Sequence, residues 1–218
     1  MEVEELEGPR DIDIAALPVE IREHMFDIYM NGLRLRLDRW VWFDMINAFL
    51  PDALSDWVAH MLQYPMVKPR RAIALVGATG SGKSLCVRVV ELLLGDAALS
   101  TRVLDPRELV RCNGRQAGAT LVHLDDYPWR ARDSATLDSF ISDHQIVMQD
   151  SFVIPSYHRL LITTYDPPPS QANARRFTII PYDKSDRRIR ELVAALQNPA
   201  AINGIRQVLM QRNVPQAL

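Results

Sequence analysis

The stretch GATGSGKS, residues 77–84, decides the fold class of this chain. It matches the pattern G-x-x-x-x-G-K-[S/T] at every fixed position. The apolar run AIALV (72–76) precedes it, as a buried strand would, and LCVRVVELLL (85–94) follows it with the apolar pattern of a helix. A strand, a glycine-rich turn and a helix in this order predict an α/β domain.

The same stretch predicts a binding site for the phosphates of a nucleotide. Its glycines let the backbone N–H groups point inward, and the N-terminus of the next helix adds a partial positive charge. Lys83 is expected to reach the β- and γ-phosphates, and Ser84 to ligate Mg²⁺ through its hydroxyl. The predicted nucleotide-binding residues are Gly77, Ala78, Thr79, Gly80, Ser81, Gly82, Lys83, Ser84 and Leu85. The alternative is a glycine-rich turn that binds nothing.

Strand-like and helical patterns alternate after this stretch. Short apolar runs predict four further strands, in TRVLD (101–105), ATLVHLDD (119–126), HRLLITTY (158–165) and RRFTIIPY (175–182). Helical spacing appears in SATLDSFISDH (134–144) and SDRRIRELVAALQNP (185–199), and QIVMQDSFVI (145–154) predicts a hairpin. The alternation favours a five-stranded, mostly parallel sheet between helices.

The chain is expected to comprise three segments. Residues 1–16 are acidic and predict a flexible tail. Residues 17–66 have helical spacing and predict a small helical region that could act as a collar between subunits. The prolines of PMVKPR (65–70) mark the boundary to a phosphate-loop domain at 67–218, which ends in helices. Large aromatic side chains could form the core of the helical region or a surface between subunits: Trp40, Trp42, Phe43, Phe49 and Trp57.

The composition, 48% hydrophobic and 24% charged with a net charge of −2, is that of an ordinary soluble protein. The net charge excludes a global basic field, so nucleic-acid binding would need a local patch. Cys86 and Cys112 form no CxxC pair, which argues against a zinc ribbon or a disulfide scaffold. No signal peptide and no membrane-spanning run is evident. We expect a cytoplasmic or nuclear protein that is not secreted and has no membrane partner.

The stretch LVHLDDYPW, residues 121–129, predicts the acidic part of the site. Asp125 is expected to hold Mg²⁺, through water, and Asp126 to polarise the attacking water. Two adjacent carboxylates are costly unless a cation neutralises them, which supports a metal. The alternative is a pair of solvated acids in a turn. His123 lies within the strand and is expected to be a packed side chain.

Together with the phosphate loop, the motifs LDDYPW (124–129), LLITTYDPP (160–168) and ARRFTIIP (174–181) resemble the ATPase core of superfamily 3 helicases. These are AAA+-type motors encoded by small DNA and RNA viruses, some phages and plasmids. The resemblance covers about residues 70–183 and rests on the order and spacing of the motifs.

The resemblance implies an AAA+-type core and a ring homo-oligomer, usually a hexamer, with ATP bound between neighbouring subunits. An arginine from the next subunit would complete the site; Arg176 is the first candidate and Arg175 the second. A guanidinium near the γ-phosphate offsets charge that develops in phosphoryl transfer. The family's sensor motif, Thr-Ser-Asn, corresponds here to Thr163, Thr164 and Tyr165, so either Thr164 or Tyr165 is expected to act as sensor.

The predicted hairpin departs from the family. Superfamily 3 DNA helicases carry Lys or His there to grip DNA, whereas this hairpin has no Lys, and Asp150 lies near its predicted tip. Four of its residues could still contact single-stranded nucleic acid, because an aromatic side chain can stack on a base. They are Met148, Gln149, Ser151 and Phe152. The alternative is a hairpin packed against a neighbouring subunit.

Three functions remain open from the sequence. The first is an ATP-driven ring motor on nucleic acid, DNA favoured over RNA, in replication of a virus or mobile element inside its host cell. The second is a small-molecule kinase whose lid would use Arg175, Arg176, Arg187, Arg188 and Arg190. The third is an ATPase of the AAA+ type that assembles, loads or packages without unwinding.

Overall fold

The computed structural model describes residues 50–96, 99–109, 113–148, 151–168, 175–183, 193–194 and 199–216. The chain divides into two compact units, Met1–Trp40 and Val41–Leu218, and all described residues belong to the second. The predicted tail and most of the predicted helical region lie outside the described residues, as do Trp40, Trp42, Phe43 and Phe49. The limits of the three predicted segments stay a prediction.

Within the described ranges, seven strands form two sheets. The strands are β1 (Ala72–Val76), β2 (Ser100–Val103), β3 (Leu121–Leu124), β4 (Gln145–Val147), β5 (Val153–Pro155), β6 (Arg159–Thr164) and β7 (Phe177–Pro181). Five of them form one sheet in the order β2-β3-β6-β1-β7, and every pairing in it is parallel. β4 and β5 pair antiparallel, with Val147 opposite Val153. The predicted five-stranded α/β fold and the predicted hairpin are confirmed.

Five α-helices accompany the strands in the described residues. They are α1 (Asp52–Gln63), α2 (Lys83–Leu94), α3 (Gly114–Gly118), α4 (Ser134–Ser142) and α5 (Pro199–Met210). The segment PRELVRC, which resembles a short helix in sequence, begins with a 3₁₀ helix at Pro106–Leu109, and its last three residues lie outside the described ones. Of the predicted helix at 185–199, only residues 193, 194 and 199 are described. No helix in the described ranges is long and apolar enough to cross a membrane.

The large sheet is covered on both faces, because successive side chains of a strand point to opposite sides. Ile73 and Leu75 of β1 belong to one core, with side chains of α1, α2 and α5. Ala72 and Ala74 belong to the other core, with side chains of α4 and the hairpin. Burial on both faces explains why the strands are continuous apolar runs rather than alternating ones.

α1 packs within the same core as the sheet. Its Trp57 is fully buried, and the indole N–H donates to Arg71 O at 3.2 Å. The buried guanidinium of Arg159, at the start of β6, donates to Tyr64 O at 2.7 Å and Val67 O at 2.9 Å. Burial lowers the pKa of Arg159 to about 10. The segment after α1 is thus tied to the central strand next to β1.

The base of the hairpin is anchored by a buried lysine. Lys68 Nζ donates to Phe140 O at 2.5 Å, to Asp143 O at 2.8 Å and to Ser156 Oγ at 2.6 Å. Ser156 N–H donates in turn to His144 O at 2.8 Å. Both ends of the hairpin are therefore held against the segment that leads into β1.

The parallel arrangement brings the carboxyl ends of the five strands to one edge of the sheet, here called the loop edge. The phosphate loop (77–84) follows β1 there, and Asp125 follows β3, with β6 between the two strands. The opposite edge carries the amino ends of the strands, including Arg176 just before β7.

Candidate nucleotide-binding site

The phosphate loop has the backbone geometry of an anion cradle. Gly80 and Gly82 have φ angles of +80° and +89°, which residues with a side chain rarely adopt. Gly77 is required for a different reason, because a Cβ at this position would lie 2.1 Å from Tyr182 O. Left-handed residues of this kind let successive N–H groups face one concavity, where an anion can bind.

Two features of the loop fit the phosphates of a nucleotide. Ser81 Oγ is buried and has no hydrogen-bond partner in the described part of the chain. α2 begins at Lys83, and its N-cap residue, Gly82, has no side chain with which to cap the N–H groups of the first turn. Buried hydroxyls are normally satisfied, and free N–H groups at a helix N-terminus attract anions. A phosphate group would satisfy both.

Lys83 is turned back over the loop that precedes it. Its Nζ donates to Gly77 O at 2.5 Å and to Ala78 O at 2.9 Å. The ring of Tyr165, which follows β6, lies over the same ammonium group with its centroid 4.8 Å from Nζ. The ammonium group therefore lies between the phosphate loop and the end of β6, where a bound phosphate would contact it.

Asp125 is held by side chains from three strands. Arg102 of β2 forms an ion pair with Oδ2, and Thr163 of β6 donates to Oδ1 at 2.9 Å. His123 Nε2 lies 3.5 Å from Oδ1. Burial lowers the pKa of His123, although the charge of Asp125 opposes this, so the imidazole is neutral near pH 7. The positive charge facing Asp125 in this structure is that of Arg102.

Asp126 points away from its neighbour. Its φ angle is +44°, a conformation that costs a residue other than glycine about 1–3 kcal/mol. Its N–H donates to Thr163 Oγ1 at 2.8 Å, and its exposed carboxylate lies 3.4 Å from the hydroxyl of Tyr165. Because the chain turns sharply here, Asp125 faces the protein interior while Asp126 faces the solvent at the loop edge.

The oxygen donors at the loop edge fit Mg²⁺, which prefers hard oxygen ligands. Ser84 is exposed at the start of α2, and the two acids follow β3. Because β6 separates β1 from β3, the strand ends are about 10 Å apart. That separation suits a carboxylate that reaches the metal through water. No group of three or more His, Cys, Asp or Glu side chains that could hold a metal is found among the described residues, so phosphate oxygens would supply further ligands.

The remaining residues of the predicted nucleotide site are arranged around the loop. Ala78 and Thr79 are exposed, as expected for the part of the loop that would face a ligand. Leu85 is half-buried and packs against the core that contains α1. It therefore supports the first turn of α2 from below, and its side chain faces the core.

The two candidate sensor residues differ in what they contact. The hydroxyl of Thr164 is buried and donates to Asp166 O at 3.0 Å, and Thr164 O accepts the N–H of Gly77 at 3.1 Å. Tyr165 is 47% exposed and contacts both Lys83 and Asp126. Tyr165 is thus the candidate whose side chain lies among the charged groups of the site.

Arg175 and Arg176 lie at the opposite edge of the sheet. Arg176 O accepts the N–H of Ala72, the first residue of β1. The five residues of β7 span about 16 Å at the usual rise per residue, so these arginines are distant from their own phosphate loop. The fold therefore does not bring either arginine to the phosphate loop of its own chain.

The described part of the hairpin presents apolar side chains to the solvent. Phe152 is 71% exposed, and Val147 and Val153 are exposed as well. Met148 is half-buried, and Ser151 has a φ angle of +66°. Gln149 and Asp150 lie outside the described residues. The hairpin's four candidate contacts to nucleic acid stay a prediction.

Sequence reasoning missed Arg102 and Thr163 as members of this site. Arg102 is separated from Asp125 by 23 positions and Thr163 by 38. Both contacts depend on β3 lying between β2 and β6. The sequence signal that could have pointed to these residues is the alternation of strands and helices, because Arg102 and Thr163 each lie in a predicted strand.

Comparison with known proteins shows the fold but no family. No family model matches the chain, and no curated protein sequence matches it. The apo structure of the NrS-1 C terminal region (305-718) matches with a TM-score of 0.61 at 19% identity, over 79% of this chain and 45% of that one. The A form of the same region gives 0.59 at 18% identity, over 79% and 44%.

An inhibitor-bound JCV helicase matches with a TM-score of 0.49 at 16% identity, over 83% of this chain and 55% of that one. At that score it supports no inference about this chain. The two NrS-1 structures, at under 20% identity, show a shared fold, and this chain spans less than half of their length.

Proposed function

We propose that this chain is an ATP-hydrolysing motor of the superfamily 3 helicase type, which works as a ring of identical subunits on nucleic acid. The observation that carries the proposal is the loop edge itself. A phosphate cradle lies there with Lys83 and two adjacent acids, Asp125 and Asp126, and its buried hydroxyl, Ser81, has no partner among the described residues. That combination serves phosphoryl transfer, in which catalysis is mostly positioning and charge stabilisation.

The residues divide the work between binding and hydrolysis. N–H groups of the phosphate loop and of the first turn of α2 bind the phosphates, and Lys83 neutralises them from the side. Mg²⁺ held by Ser84 and, through water, by Asp125 would offset charge on the β- and γ-phosphates. Asp126 orients the attacking water and accepts its proton. The exposure of Asp126 at the loop edge supports that assignment, since water must reach it.

The ring is proposed because, among the described residues, Arg175 and Arg176 lie at the edge of the sheet opposite the phosphate loop of their own chain. Arg176, or else Arg175, lies at the opposite edge, about 16 Å from its own phosphate loop. A neighbouring subunit that presents this edge to the loop edge would supply a guanidinium there. A ring, a hexamer by resemblance, gives every subunit such a neighbour.

Single-stranded nucleic acid, DNA rather than RNA, is the proposed track, and replication of a virus or mobile element inside its host cell is the proposed setting. Both rest on the resemblance in motif order. The hairpin offers Phe152 as an exposed aromatic on which a base could stack.

The test is ATP turnover by the purified chain with and without single-stranded DNA and RNA, together with a mass measurement of the oligomer with and without ATP. We expect Mg²⁺-dependent hydrolysis, stimulation by a strand and a nucleotide-dependent ring. Lys83→Ala should lower turnover at least a hundredfold, because it removes the cation that contacts the phosphates. Normal turnover by Lys83→Ala would show that the site is elsewhere.

A second candidate is an ATPase of the same type that assembles, loads or packages without unwinding. The observation that favours it is the hairpin, whose described residues expose Val147, Phe152 and Val153 and carry no lysine. Exposed apolar surface of this kind suits contact with protein as well as with bases. ATP-dependent oligomers whose turnover ignores DNA and RNA would favour this candidate.

A further inference from the structure

The ammonium group of Lys83 has all three of its donors engaged. Two donate to the carbonyl oxygens of Gly77 and Ala78, and the third side of the group faces the ring of Tyr165 at 4.8 Å. A lysine ammonium group has three N–H donors and accepts no hydrogen bond. An incoming phosphate oxygen must therefore replace one of these three partners.

The three partners are not equally easy to replace. The two carbonyl groups belong to the backbone of the phosphate loop, and moving them would distort the cradle that binds the phosphates. The ring of Tyr165 belongs to a side chain that is 47% exposed and can leave by rotation about its own bonds. The ring is thus the partner that a phosphate displaces.

The other end of Tyr165 does not hold it firmly. Its hydroxyl lies 3.4 Å from Asp126 Oδ2, at the long limit of a hydrogen bond, and Asp126 is exposed to water. No other hydrogen bond of this hydroxyl is found in the described part of the chain. Its ring has a second interaction with a charged group, the one with the ammonium group of Lys83 at 4.8 Å.

We propose that Tyr165 is a displaceable cover of the phosphate site, whose ring competes with the phosphates of the nucleotide for Lys83. This inference rests on the proposed function, since it concerns the same site. The ring lowers the affinity for nucleotide and returns to Lys83 when the phosphates leave, which favours release of product. Tyr165 is a positioning residue in this scheme, because it acts through Lys83.

The test separates the ring from the hydroxyl. Affinities for inorganic tripolyphosphate and for a non-hydrolysable ATP analogue are measured by calorimetry for wild type, Tyr165→Ala, Tyr165→Leu and Tyr165→Phe. A cation–π contact at an exposed site corresponds to about a two- to fivefold change in an equilibrium constant. Tyr165→Ala and Tyr165→Leu should bind both probes two- to fivefold more tightly, and Tyr165→Phe, which keeps the ring, should bind like wild type.

A gain in affinity for the probes distinguishes this role from a structural one. If Tyr165 were only structural, truncation of its side chain would weaken binding. Met66→Ala, which shortens another exposed apolar side chain, is the matched control and should change neither affinity. Unchanged or weaker binding by both Tyr165→Ala and Tyr165→Leu would overturn the proposal, as would equal gains in all three Tyr165 variants. If wild type bound neither probe, the proposed function itself would fail, which is a different result.

Discussion

The hydroxyl of Thr163 donates a hydrogen bond to Asp125 Oδ1 at 2.9 Å, across the junction between β6 and β3. The hydroxyl oxygen of Thr163 also accepts the N–H of Asp126 at 2.8 Å. One buried threonine therefore sets the direction of both acids, although it comes 37 positions after the second of them.

Replacing Thr163 with valine should impair both stability and turnover. The variant keeps the shape of the side chain but leaves the Asp126 N–H and Asp125 Oδ1 without their partner, which costs about 1–3 kcal/mol. We expect ATP turnover to fall at least tenfold and nucleotide affinity to change little. Denaturant unfolding and steady-state kinetics measure the two effects.

Thr164→Val is the matched comparison, because that hydroxyl donates to Asp166 O. It should cost about 1 kcal/mol of stability and lower turnover less than Thr163→Val does. The opposite order of turnover would assign the sensor role to Thr164.

Replacing Arg102 with alanine should strengthen the binding of Mg²⁺ at the site. Arg102 is the cation that pairs with Asp125 in this structure, and an exposed pair of this kind contributes about 0.2–1 kcal/mol. Without it, Asp125 should attract Mg²⁺ more strongly, so the Mg²⁺ concentration for half-maximal turnover should fall up to about fivefold.

The control for Arg102 is Arg107→Ala, which removes another exposed arginine, paired with Asp105. This variant should not change the Mg²⁺ concentration for half-maximal turnover. An unchanged or higher Mg²⁺ requirement in Arg102→Ala would mean that Arg102 helps to hold the metal site instead of competing with it.

The action of Arg176 on a neighbour can be tested by mixing two inactive variants. The Lys83→Ala variant lacks a working phosphate loop. The Arg176→Ala variant lacks the guanidinium group that is proposed to act at the phosphate loop of the neighbouring subunit. In equal mixtures that exchange subunits freely, about a quarter of the contacts pair an intact loop with an intact arginine. Turnover should therefore recover to roughly that fraction of wild type.

Neither variant alone should show this activity, and a mixture of Lys83→Ala with the double variant should stay inactive. If Arg176→Ala alone kept full turnover, Arg175→Ala would be tested in the same way. No recovery for either arginine would refute action across the subunit contact.

Stability should fall as the pH falls below neutrality. Burial lowers the pKa of His60 and of His158 from the ordinary 6.5, so both are neutral in the folded protein at a pH where the unfolded chain begins to bind protons. Stability rises with pH wherever the unfolded state binds more protons. The contribution is thus complete above pH 6.5 and is lost progressively below it, until the folded protein also binds these protons.

At pH 5.5 each histidine should lower the free energy of unfolding by up to about 1.4 kcal/mol relative to pH 7.5. Urea unfolding at both pH values measures this. His158→Gln, with a side chain that can still donate to Gln116 O, should reduce the pH dependence between those values. A wild-type stability that is flat over this range would contradict the prediction.

The local signals of the chain were enough to predict the five strands and the hairpin. β1 and β6 are mostly apolar runs that are buried on both faces, and glycine or turn residues border them. Their strand conformation could therefore be predicted from their own residues. The phosphate loop was predictable for the same reason, because Gly80, Gly82 and Lys83 are close together in the sequence. The pattern of PRELVRC indicated a short helix, but it did not indicate that the helix at Pro106–Leu109 is of the 3₁₀ type.

Contacts between distant segments were not predictable in this way. The burial of Trp57 against the sheet depends on α1 joining the core that contains β1, and the buried Arg159 holds the segment between them. The environment of Asp125 depends on the strand order, which brings β2 and β6 to its two sides. The residues next to Trp57 and Asp125 in the sequence contain no pattern that predicts either arrangement.

The uniform direction of the five strands also gives the subunit a polarity. One edge of the sheet carries the phosphate loop and the acids, and the other carries Arg175 and Arg176, so the two edges are unlike. Subunits that join loop edge to arginine edge can do so only head to tail, and never as a symmetric pair that uses the same surface twice. In any closed ring built through that contact, the clockwise direction and the anticlockwise direction around the ring are chemically different. Successive hydrolysis events could therefore proceed around the ring in one direction.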